Sequence, residues 1–356
     1  MREPLVEIKD LHVDFEVRDG TIHAIQGATF NIVRGETTGV IGESGCGKSV
    51  TAKAIMQMIP KPGKFVKGEV LYHYRDKDNP GQEEIINISD LDPDGTRIRK
   101  IRGGEIGMIF QEPMSSLNPV YTAGFQIGEA LDIHRLVPKT VGDHMADAIT
   151  EFRHVTKKES REIAIDYLHK VGLPKPKERV DSYPHQLSGG QRQRVMVAIA
   201  LSCDPVMLIA DEPTTALDVS IEAQILDLMK NLQETEDMAI MFITHNLGVV
   251  AEMAQDIIVM YMGKQVERAT AVNIFYEPKH PYTKALLESI PHVGKRHRGR
   301  LASIKGMVPS PFNLPSGCVF HPRCPSFMPG KCDVIIPKWQ EVEENHWVSC
   351  LLYEEV

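Results

Sequence analysis

Long apolar runs are rare in this sequence of 356 residues. A helix that spans a bilayer needs about 18 or more consecutive apolar residues. The longest comparable run, VMVAIALSC at 195–203, stops before Asp204 and Pro205. The opening residues, MREPLVEIKDLHVDF, carry charges throughout and contain no apolar signal-peptide core. The sequence therefore predicts a cytoplasmic chain, in which any role at a membrane would come through a partner.

An excess of positive charge is also absent. The formal net charge is −8, which argues against a general nucleic-acid binder, because such proteins carry basic patches. Apolar residues make up 42 % of the chain and charged residues 25 %, as in ordinary globular proteins. A chain of this length has room for one large or two ordinary domains, and we see no internal repeat.

What the chain does contain is a glycine-rich motif, GESGCGKS, at Gly42–Ser49. The segment TTGVIG before it predicts a buried strand, and SVTAKAIMQMI after it predicts a helix whose N-terminus faces the phosphates. In such a loop, glycines allow backbone N–H groups to close around phosphate oxygens. Lys48 would reach the β- and γ-phosphates, and the Ser49 hydroxyl would bind Mg²⁺. The motif predicts an ATP site.

Two adjacent acids, Asp211 and Glu212, end the apolar segment VMLIA. Charged groups at the end of a buried strand are costly unless they have a role there, and ligands of α/β proteins bind at the carboxyl ends of strands. Asp211 would hold Mg²⁺ through water, and Glu212 would polarise the water that attacks the γ-phosphate.

The motifs follow one another in a characteristic order. After the glycine-rich loop come LSGGQ at Leu187–Gln191, DEP at Asp211–Pro213, ALD at Ala216–Asp218, and ITHN with His245. This series resembles the ATP-binding-cassette (ABC) ATPases over residues from about 5 to 270. The resemblance implies an α/β fold: a P-loop NTPase of the ABC-cassette type with a mixed sheet core, an inserted helical subdomain and a small cysteine-containing C-terminal appendage.

The predicted domain boundaries follow from changes in pattern. Alternating residues on either side of a turn at Asp19-Gly20 predict an initial pair of strands, and DKDNPGQ at 76–82 predicts a polar hairpin. Strands and helices that alternate from PVMLIAD to DIIVMYM predict a parallel sheet covered by helices. The resemblance implies that these segments form a nucleotide-binding RecA-like core with an N-terminal β-subdomain at 1–113 and 184–270. Three-four apolar spacing predicts the helical subdomain at 114–183. We expect residues 271–356 to form the C-terminal appendage, which includes a capped helix in EPKHPYTKALLESIP.

The resemblance also implies the roles of the site residues. Gln111 would touch the Mg²⁺ or the attacking water, and His245 would contact the γ-phosphate. Phe15 would stack on adenine, although core packing is a serious rival role for it. The implied nucleotide-binding residues are Phe15, Gly42, Ser44, Gly45, Cys46, Gly47, Lys48, Ser49, Val50, Gln111, Ser188, Gly190, Gln191, Asp211 and Asp218. The implied Mg²⁺ ligands are Ser49, Gln111 and Asp211, and the implied catalytic residues are Gln111, Glu212 and His245.

The implied mode of action requires partners. Ser188 suits a helix N-cap, and in the family the LSGGQ motif completes the ATP site of a second cassette. Both EPKHPYTKALLESIP and GCVFHPRCPSFMPGKCD resemble the dipeptide/oligopeptide-import branch. That branch implies a second, related ABC ATPase subunit, two transmembrane permease subunits, an extracytoplasmic solute-binding protein and a peripheral position on the cytoplasmic face of the membrane. Peptide, sugar and nickel all remain open as the solute.

Two rival functions fit the sequence less well. A soluble ABC ATPase that acts on nucleic acid or ribosomes would carry two cassettes, long coiled-coil arms or DNA-binding insertions, none of which this sequence has. A non-hydrolysing partner subunit would lack catalytic residues, whereas Lys48, Ser188, Glu212 and His245 are all present. We therefore expect an ATPase and no nucleic-acid partner.

Four of the six cysteines, Cys318, Cys324, Cys332 and Cys350, lie near the C-terminus. Their spacing contains no C-x₂₋₄-C pair of the kind that structural zinc sites use, and four thiolates suit an iron–sulfur cluster. The resemblance implies a [4Fe–4S] cluster, with Zn²⁺ or unligated thiols as alternatives, and His321 and His346 as substitute ligands. The basic run KRHRGR at 295–300 is interpreted as a solvated linker, with lipid headgroups or a partner subunit as the alternative.

Overall fold

The structure is a computed structural model that describes residues 3–75, 83–111, 116–134, 136–138, 152–154, 156–214, 219–289 and 304–354. The chain divides into two compact units. Unit 1 comprises Met1–Pro93 and Met241–Val356, and unit 2 comprises Asp94–Ile240. The predicted hairpin at 76–82, Asp218 and the basic run at 295–300 lie outside the described residues.

The strands, in chain order, are β1 (Pro4–Val17), β2 (Gly20–Val33), β3 (Thr37–Ile41), β4 (Gly63–Arg75), β5 (Glu83–Asn87), β6 (Ile106–Ile109), β7 (Leu136–Pro138), β8 (Phe152–His154), β9 (Met207–Asp211), β10 (Ala239–Ile243), β11 (Asp256–Tyr261), β12 (Lys264–Thr270), β13 (Gln340–Glu343) and β14 (His346–Val348).

The α-helices, in chain order, are α1 (Lys48–Ile55), α2 (Thr96–Lys100), α3 (Ala123–His134), α4 (Lys157–Lys170), α5 (Pro176–Arg179), α6 (Gly189–Leu201), α7 (Val219–Glu236), α8 (Leu247–Met253), α9 (Ala271–Tyr276) and α10 (Pro281–Glu288). Within the described ranges, no helix is both long enough and apolar enough to cross a membrane.

The first sheet of unit 1 is antiparallel, with the strand order β2-β1-β4-β5. Its β1–β2 hairpin, predicted from alternation and the turn before Gly20, is confirmed. Asp10 has φ 46° and lies at a break in the register. This bulge moves the buried side of β1 from Val6 and Ile8 to Leu11 and Val13, because one extra residue reverses the alternation.

The second sheet of unit 1 contains the neighbouring strands β13-β14-β12-β11-β3. β3 and β11 are parallel, whereas β12 runs antiparallel to β11 and to β14, so the sheet is mixed. The C-terminal strands thus extend the same sheet from which the glycine-rich loop begins. Aromatic and aliphatic side chains of the C-terminal region, including Tyr282 and Phe320, share one buried cluster with Ile41 and Tyr261.

Unit 2 holds the parallel strand pair β6–β9, in which Ile106 faces Met207 and Ile109 faces Ala210. Helices α3, α4 and α6 pack on one another, and Thr156 begins α4 with a capping box. Helices at α3 and α4 are predicted from the apolar spacing and are confirmed. The short antiparallel pair β7–β8 is not predicted, because three-residue strands are too short to leave a periodic signal.

Candidate functional site

The glycine-rich loop leads from β3 directly into α1. Gly42, Gly45 and Gly47 have φ values of 150°, 79° and 102°, in the region that favours glycine over other residues. A Cβ at Gly42 would collide with the Met260 carbonyl oxygen, and one at Gly47 with the Ala24 carbonyl oxygen. At Gly42 and Gly47 glycine is therefore required both by the backbone conformation and by the lack of space, and at Gly45 by the backbone conformation alone.

Lys48 lies at the start of α1 and is buried. Its Nζ donates hydrogen bonds to the carbonyl oxygens of Gly42 at 2.7 Å and Glu43 at 3.1 Å. The ammonium group is thus held at the centre of the loop, and the adjoining Ser49 lies in the first turn of the helix. A cation beside a helix N-terminus and a glycine-rich turn is chemically suited to bind phosphate.

Two residues from the C-terminal part of unit 1 hold Glu43 of this loop. The Glu43 N–H donates to the Tyr282 hydroxyl at 2.9 Å. The Arg323 guanidinium donates to both carboxylate oxygens of Glu43, at 2.6 and 3.1 Å, and to the Tyr261 hydroxyl at 3.3 Å. Sequence reasoning missed these contacts, because nothing in the local sequence pairs residues so far apart.

The predicted acids end β9 of unit 2. Asp211 is buried, and Glu212 has φ 48°, a conformation that costs a bulky non-glycine residue free energy. The Gln111 Nε2 donates to the Glu212 Oε2 at 3.1 Å. Two residues predicted to take part in catalysis are therefore in contact, and the Glu212 carboxylate has a defined orientation.

The LSGGQ segment begins α6 as predicted from its cap. Ser188 Oγ accepts from the Gln191 N–H at 3.3 Å, and the Gln191 Oε1 accepts from the Ser188 N–H at 3.1 Å. A Cβ at Gly189 would meet no atom within 4 Å, whereas one at Gly190 would press on Ile221. The first glycine thus presents open backbone at the helix start, and the second allows close packing.

A link between α6 and the acidic strand end was missed by sequence reasoning. Gln193 is almost fully buried, and its Nε2 donates to the Pro213 carbonyl oxygen. Its neighbour Arg194 donates to the Val171 carbonyl oxygen and to Gln224. A polar QRQR segment in an otherwise apolar helix is the only sequence signal for these contacts. They tie the LSGGQ helix to the turn after Glu212 within unit 2.

The remaining predicted site residues lie in less distinctive surroundings. His245 is exposed and follows β10, and Asn246 caps α8 by accepting from the Gly248 N–H at 3.1 Å. Phe15 is half-buried in β1 opposite Gly63, where a Cβ on the glycine would press against its ring. These positions leave the roles of His245 and Phe15 as predictions.

The four C-terminal thiols share one neighbourhood in unit 1. Burial raises the pKa of Cys318 and Cys324 and raises that of Cys350 to about 12, and nearby thiols of the group add to each of these shifts. Cys318 also donates its N–H to the Cys332 carbonyl oxygen at 2.8 Å. In the described part of the chain, no three His, Cys, Asp or Glu side chains form a group that could hold a metal ion.

The two histidines proposed as substitute ligands have other partners. The His346 Nε2 lies 2.7 Å from the Glu267 Oε1, and both side chains are fully buried. Burial alone would raise the pKa of Glu267, but hydrogen bonds from His346 and from the N–H groups of Lys279 and His280 lower it. His321 Nδ1 lies 3.0 Å from the Cys318 carbonyl oxygen. The contacts of Glu267 join β12 to β14 and to the start of α10.

Two models of known protein families match this chain. The model of the family described as ABC transporter matches residues 25–215, which is more than half of the chain. A second model, described as the oligopeptide/dipeptide transporter C-terminal region, matches residues 266–332. The second match includes α10 and the first three of the clustered cysteines.

Relatives match over almost the entire chain. The oligopeptide transport ATP-binding protein AppD of Bacillus subtilis is 45 % identical, with 99 % of this chain and 97 % of AppD covered. The dipeptide transport ATP-binding protein DppD of the same organism is 42 % identical, with 99 % and 96 % covered. DppD of Haemophilus influenzae is 44 % identical, with 90 % and 88 % covered.

Solved structures show the same fold. A bacterial ABC transporter cassette solved as a dimer has a TM-score of 0.59 and is 28 % identical, with 75 % of this chain and 98 % of the cassette covered. A post-hydrolysis state of that cassette, bound to ADP and Pi, has a TM-score of 0.60 at the same identity and coverage.

Proposed function

The chain belongs to the ABC transporter family, and from that premise we propose that it is the ATP-hydrolysing subunit of an importer for di- or oligopeptides or related solutes. One observation carries the solute class: residues 266–332 match the C-terminal region of oligopeptide/dipeptide transporters. The names of AppD and DppD support the same solute class.

In this function, different residues of the chain bind the phosphates, hold Mg²⁺ and assist the attack of water. Lys48 and the N–H groups of the Gly45–Ser49 turn hold the phosphates. The Ser49 hydroxyl and the Asp211 carboxylate are hard oxygen donors of the kind that Mg²⁺ prefers, and Mg²⁺ neutralises phosphate charge when it is bound. Glu212, oriented by Gln111, accepts a proton from the attacking water, and His245 contacts the γ-phosphate.

The proposed partners follow from the exposed LSGGQ segment and the family. Ser188, Gly190 and Gln191 bind the nucleotide held by a second, related ABC ATPase, and this chain's nucleotide meets the same motif of that partner. Two permease subunits and an extracytoplasmic solute-binding protein complete the importer. The chain would then act as a peripheral protein on the cytoplasmic face of the membrane.

We also propose that the four thiols hold a [4Fe–4S] cluster. Besides burial, neighbouring thiols of this group contribute to the raised pKa values of Cys318, Cys324 and Cys350. Four cysteine thiolates are the ligand set of [4Fe–4S] clusters, and the spacing contains no C-x₂₋₄-C pair of the kind that structural zinc sites use, which favours iron–sulfur over Zn²⁺. Protein purified under nitrogen should be brown and contain iron and sulfide.

Substitutions test the cluster assignment. The Cys324→Ser variant should lose iron and colour, whereas Cys203→Ser, which changes a buried cysteine of unit 2, should retain both. Colourless wild-type protein that contains zinc instead would contradict the assignment.

The transport function is tested by affinity purification of the chain from mild-detergent extracts of its source membranes under nitrogen, followed by mass spectrometry. Two permeases, a related ATPase and a solute-binding protein are expected, and the ligand of that binding protein identifies the solute. Ribosomal or DNA-bound partners without a membrane protein would overturn the transporter assignment. A matched extract from cells that carry an untagged chain controls for nonspecific capture.

A further inference from the structure

We propose that Arg323 and Tyr282 are positioning residues of the nucleotide site, through which the C-terminal segment sets the affinity of the glycine-rich loop for ATP. The proposal deepens the proposed function and rests on it. It concerns a group of contacts that we call the Glu43 clamp, formed by the Tyr282 hydroxyl and the Arg323 guanidinium on Glu43.

The clamp holds Glu43 at two places. The Arg323 side chain is only 4 % exposed and binds both carboxylate oxygens, a paired geometry that fixes the direction as well as the distance of the contact. Its hydrogen bonds to Glu43 raise the pKa of Arg323 above the ordinary arginine value. The Tyr282 hydroxyl accepts from the main chain of the same residue. Both the side chain and the backbone of Glu43 are therefore fixed.

From Glu43 the contacts continue to the phosphate-binding lysine. The Glu43 carbonyl oxygen accepts from Lys48 Nζ at 3.1 Å, and the preceding carbonyl of Gly42 accepts from it at 2.7 Å. A rotation of the Glu43 peptide would therefore move an oxygen that holds the ammonium group. The clamp thus positions Lys48 without touching the nucleotide itself.

Charge gives the clamp a second effect. Glu43 places a carboxylate, 26 % exposed, within a loop that must bind a polyanion. Arg323 neutralises that carboxylate at short range, whereas an unpaired carboxylate would repel the phosphates, more strongly for ATP than for ADP because ATP carries more negative charge. The pair therefore permits an acidic residue at a position where it would otherwise oppose binding.

The placement of Arg323 depends on the cysteine segment. Arg323 ends a 3₁₀ turn, His321–Arg323, between Cys318 and Cys324. Backbone N–H groups of His321 and Cys324 donate to the carbonyl oxygens of Cys318 and His321, respectively. The turn follows Phe320. The centroid of its ring lies 5.2 Å from the ring centroid of Tyr261 and 5.4 Å from that of Tyr282. The backbone that carries two of the four thiols thus also carries the guanidinium that reaches the loop.

The test measures equilibrium binding of Mg·ATP and Mg·ADP to the full-length chain by isothermal titration calorimetry under nitrogen. R323A should bind Mg·ATP on the order of tenfold more weakly, within the range typical of coupled sites, and should lose less affinity for Mg·ADP. Y282F, which keeps the ring, should weaken the binding of both nucleotides. The double variant R323A/E43Q removes the repulsive carboxylate charge without restoring the clamp. It should recover only the part of the loss that is specific to Mg·ATP and should still bind both nucleotides more weakly than wild type.

The control variant R268A removes a comparable ion pair of unit 1, Arg268 with Asp256 at 2.7 Å, and should bind both nucleotides like wild type. Thermal melting of each variant identifies loss of folding. Wild-type affinity in R323A, or wild-type affinity in the double variant, would overturn the inference while leaving the ATPase assignment intact. A wild-type chain that binds no Mg·ATP would overturn both.

Discussion

Gln111 donates a hydrogen bond to Glu212 across 3.1 Å, although 101 residues separate them in the chain. Glu212 also adopts φ 48°, in a region where non-glycine residues occur mainly when the surroundings hold them there. Together, the contact and the strained backbone aim one carboxylate in a defined direction. That geometry is expected of a group that must orient a water molecule.

The first prediction concerns Glu212. The Glu212→Gln variant should lose ATP turnover by roughly 10²–10⁴-fold, since an amide cannot accept the proton of the attacking water. Binding of Mg·ATP should persist, because the phosphate contacts are made elsewhere. Phosphate release by the purified importer complex measures the effect, with Asp227→Asn, an exposed carboxylate of unit 2, as the control. Unchanged turnover would remove Glu212 from its catalytic role.

A second prediction concerns the glycine-rich loop. In Gly47→Ala the new Cβ would collide with the Ala24 carbonyl oxygen while the backbone stays at φ 102°. The conformational strain alone should cost roughly 1–3 kcal/mol, and Mg·ATP binding should fall sharply. Gly104→Ala is the matched control, because its Cβ would make only an ordinary van der Waals contact, 3.6 Å from His134 Nδ1. Equal denaturant midpoints and equal ATP affinities for the two variants would contradict the prediction.

Gln193 provides a third prediction. Gln193→Leu removes the hydrogen bond to the Pro213 carbonyl oxygen and leaves that oxygen without this donor. We expect a loss of stability of about 1–3 kcal/mol, measured by urea unfolding. ATP turnover should fall as well, because the turn after Glu212 loses its support. Lys230→Ala, at an exposed position of α7, should leave both quantities unchanged, and a Gln193 variant that behaves in the same way would refute the role.

The fourth prediction concerns how the stability of the folded chain depends on pH. Burial lowers the pKa of His280 from 6.5 to about 4, so between these pH values the unfolded state binds a proton that the native state does not. Stability should therefore fall as the pH decreases from about 6.5 to 4, by about 3 kcal/mol for this residue at the lower limit. The lowered pKa of Glu267 acts in the same direction.

Urea midpoints measured across this pH window test the acid prediction. His280→Asn keeps an N-cap acceptor for the Tyr282 N–H and removes the titrating group, so its stability should depend less on pH than that of wild type. Val272→Ala changes an exposed side chain of the same unit that carries no titrating group and should keep the wild-type pH dependence. Equal slopes for wild type and His280→Asn would contradict the assignment.

Much of the fold could be predicted from local patterns in the sequence. Alternation in β1 and β2, the apolar segments of β3, β9 and β11, and the three-four spacing of α3 and α4 are short-range features, and the structure confirms the elements they predict. The bulge at Asp10 and the pair β7–β8 escaped prediction. A bulge depends on how two strands are paired, and a three-residue strand leaves too little periodicity to be recognised.

The C-terminal cysteine segment shows the same limit of what local sequence patterns can predict. The resemblance implies a cluster held by Cys318, Cys324, Cys332 and Cys350, and that cluster stays a prediction. The roles of His245, Phe15 and Asp218 stay predictions, as does the division of the chain at 114–183 and 271–356. The fully buried partnership of His346 with Glu267 could not be predicted from the sequence, because either side chain would be exposed in most other folds.

The sequence by itself determined the chemistry of the nucleotide site, because a phosphate loop needs glycines, a lysine and a hydroxyl at adjacent positions of one segment. Tertiary structure alone decided what holds that loop. Glu43 meets Tyr282 across 239 residues and Arg323 across 280 residues, and no local pattern records such pairs. They form only because strands β3 and β11 lie side by side and the C-terminal segment packs its aromatic side chains against them.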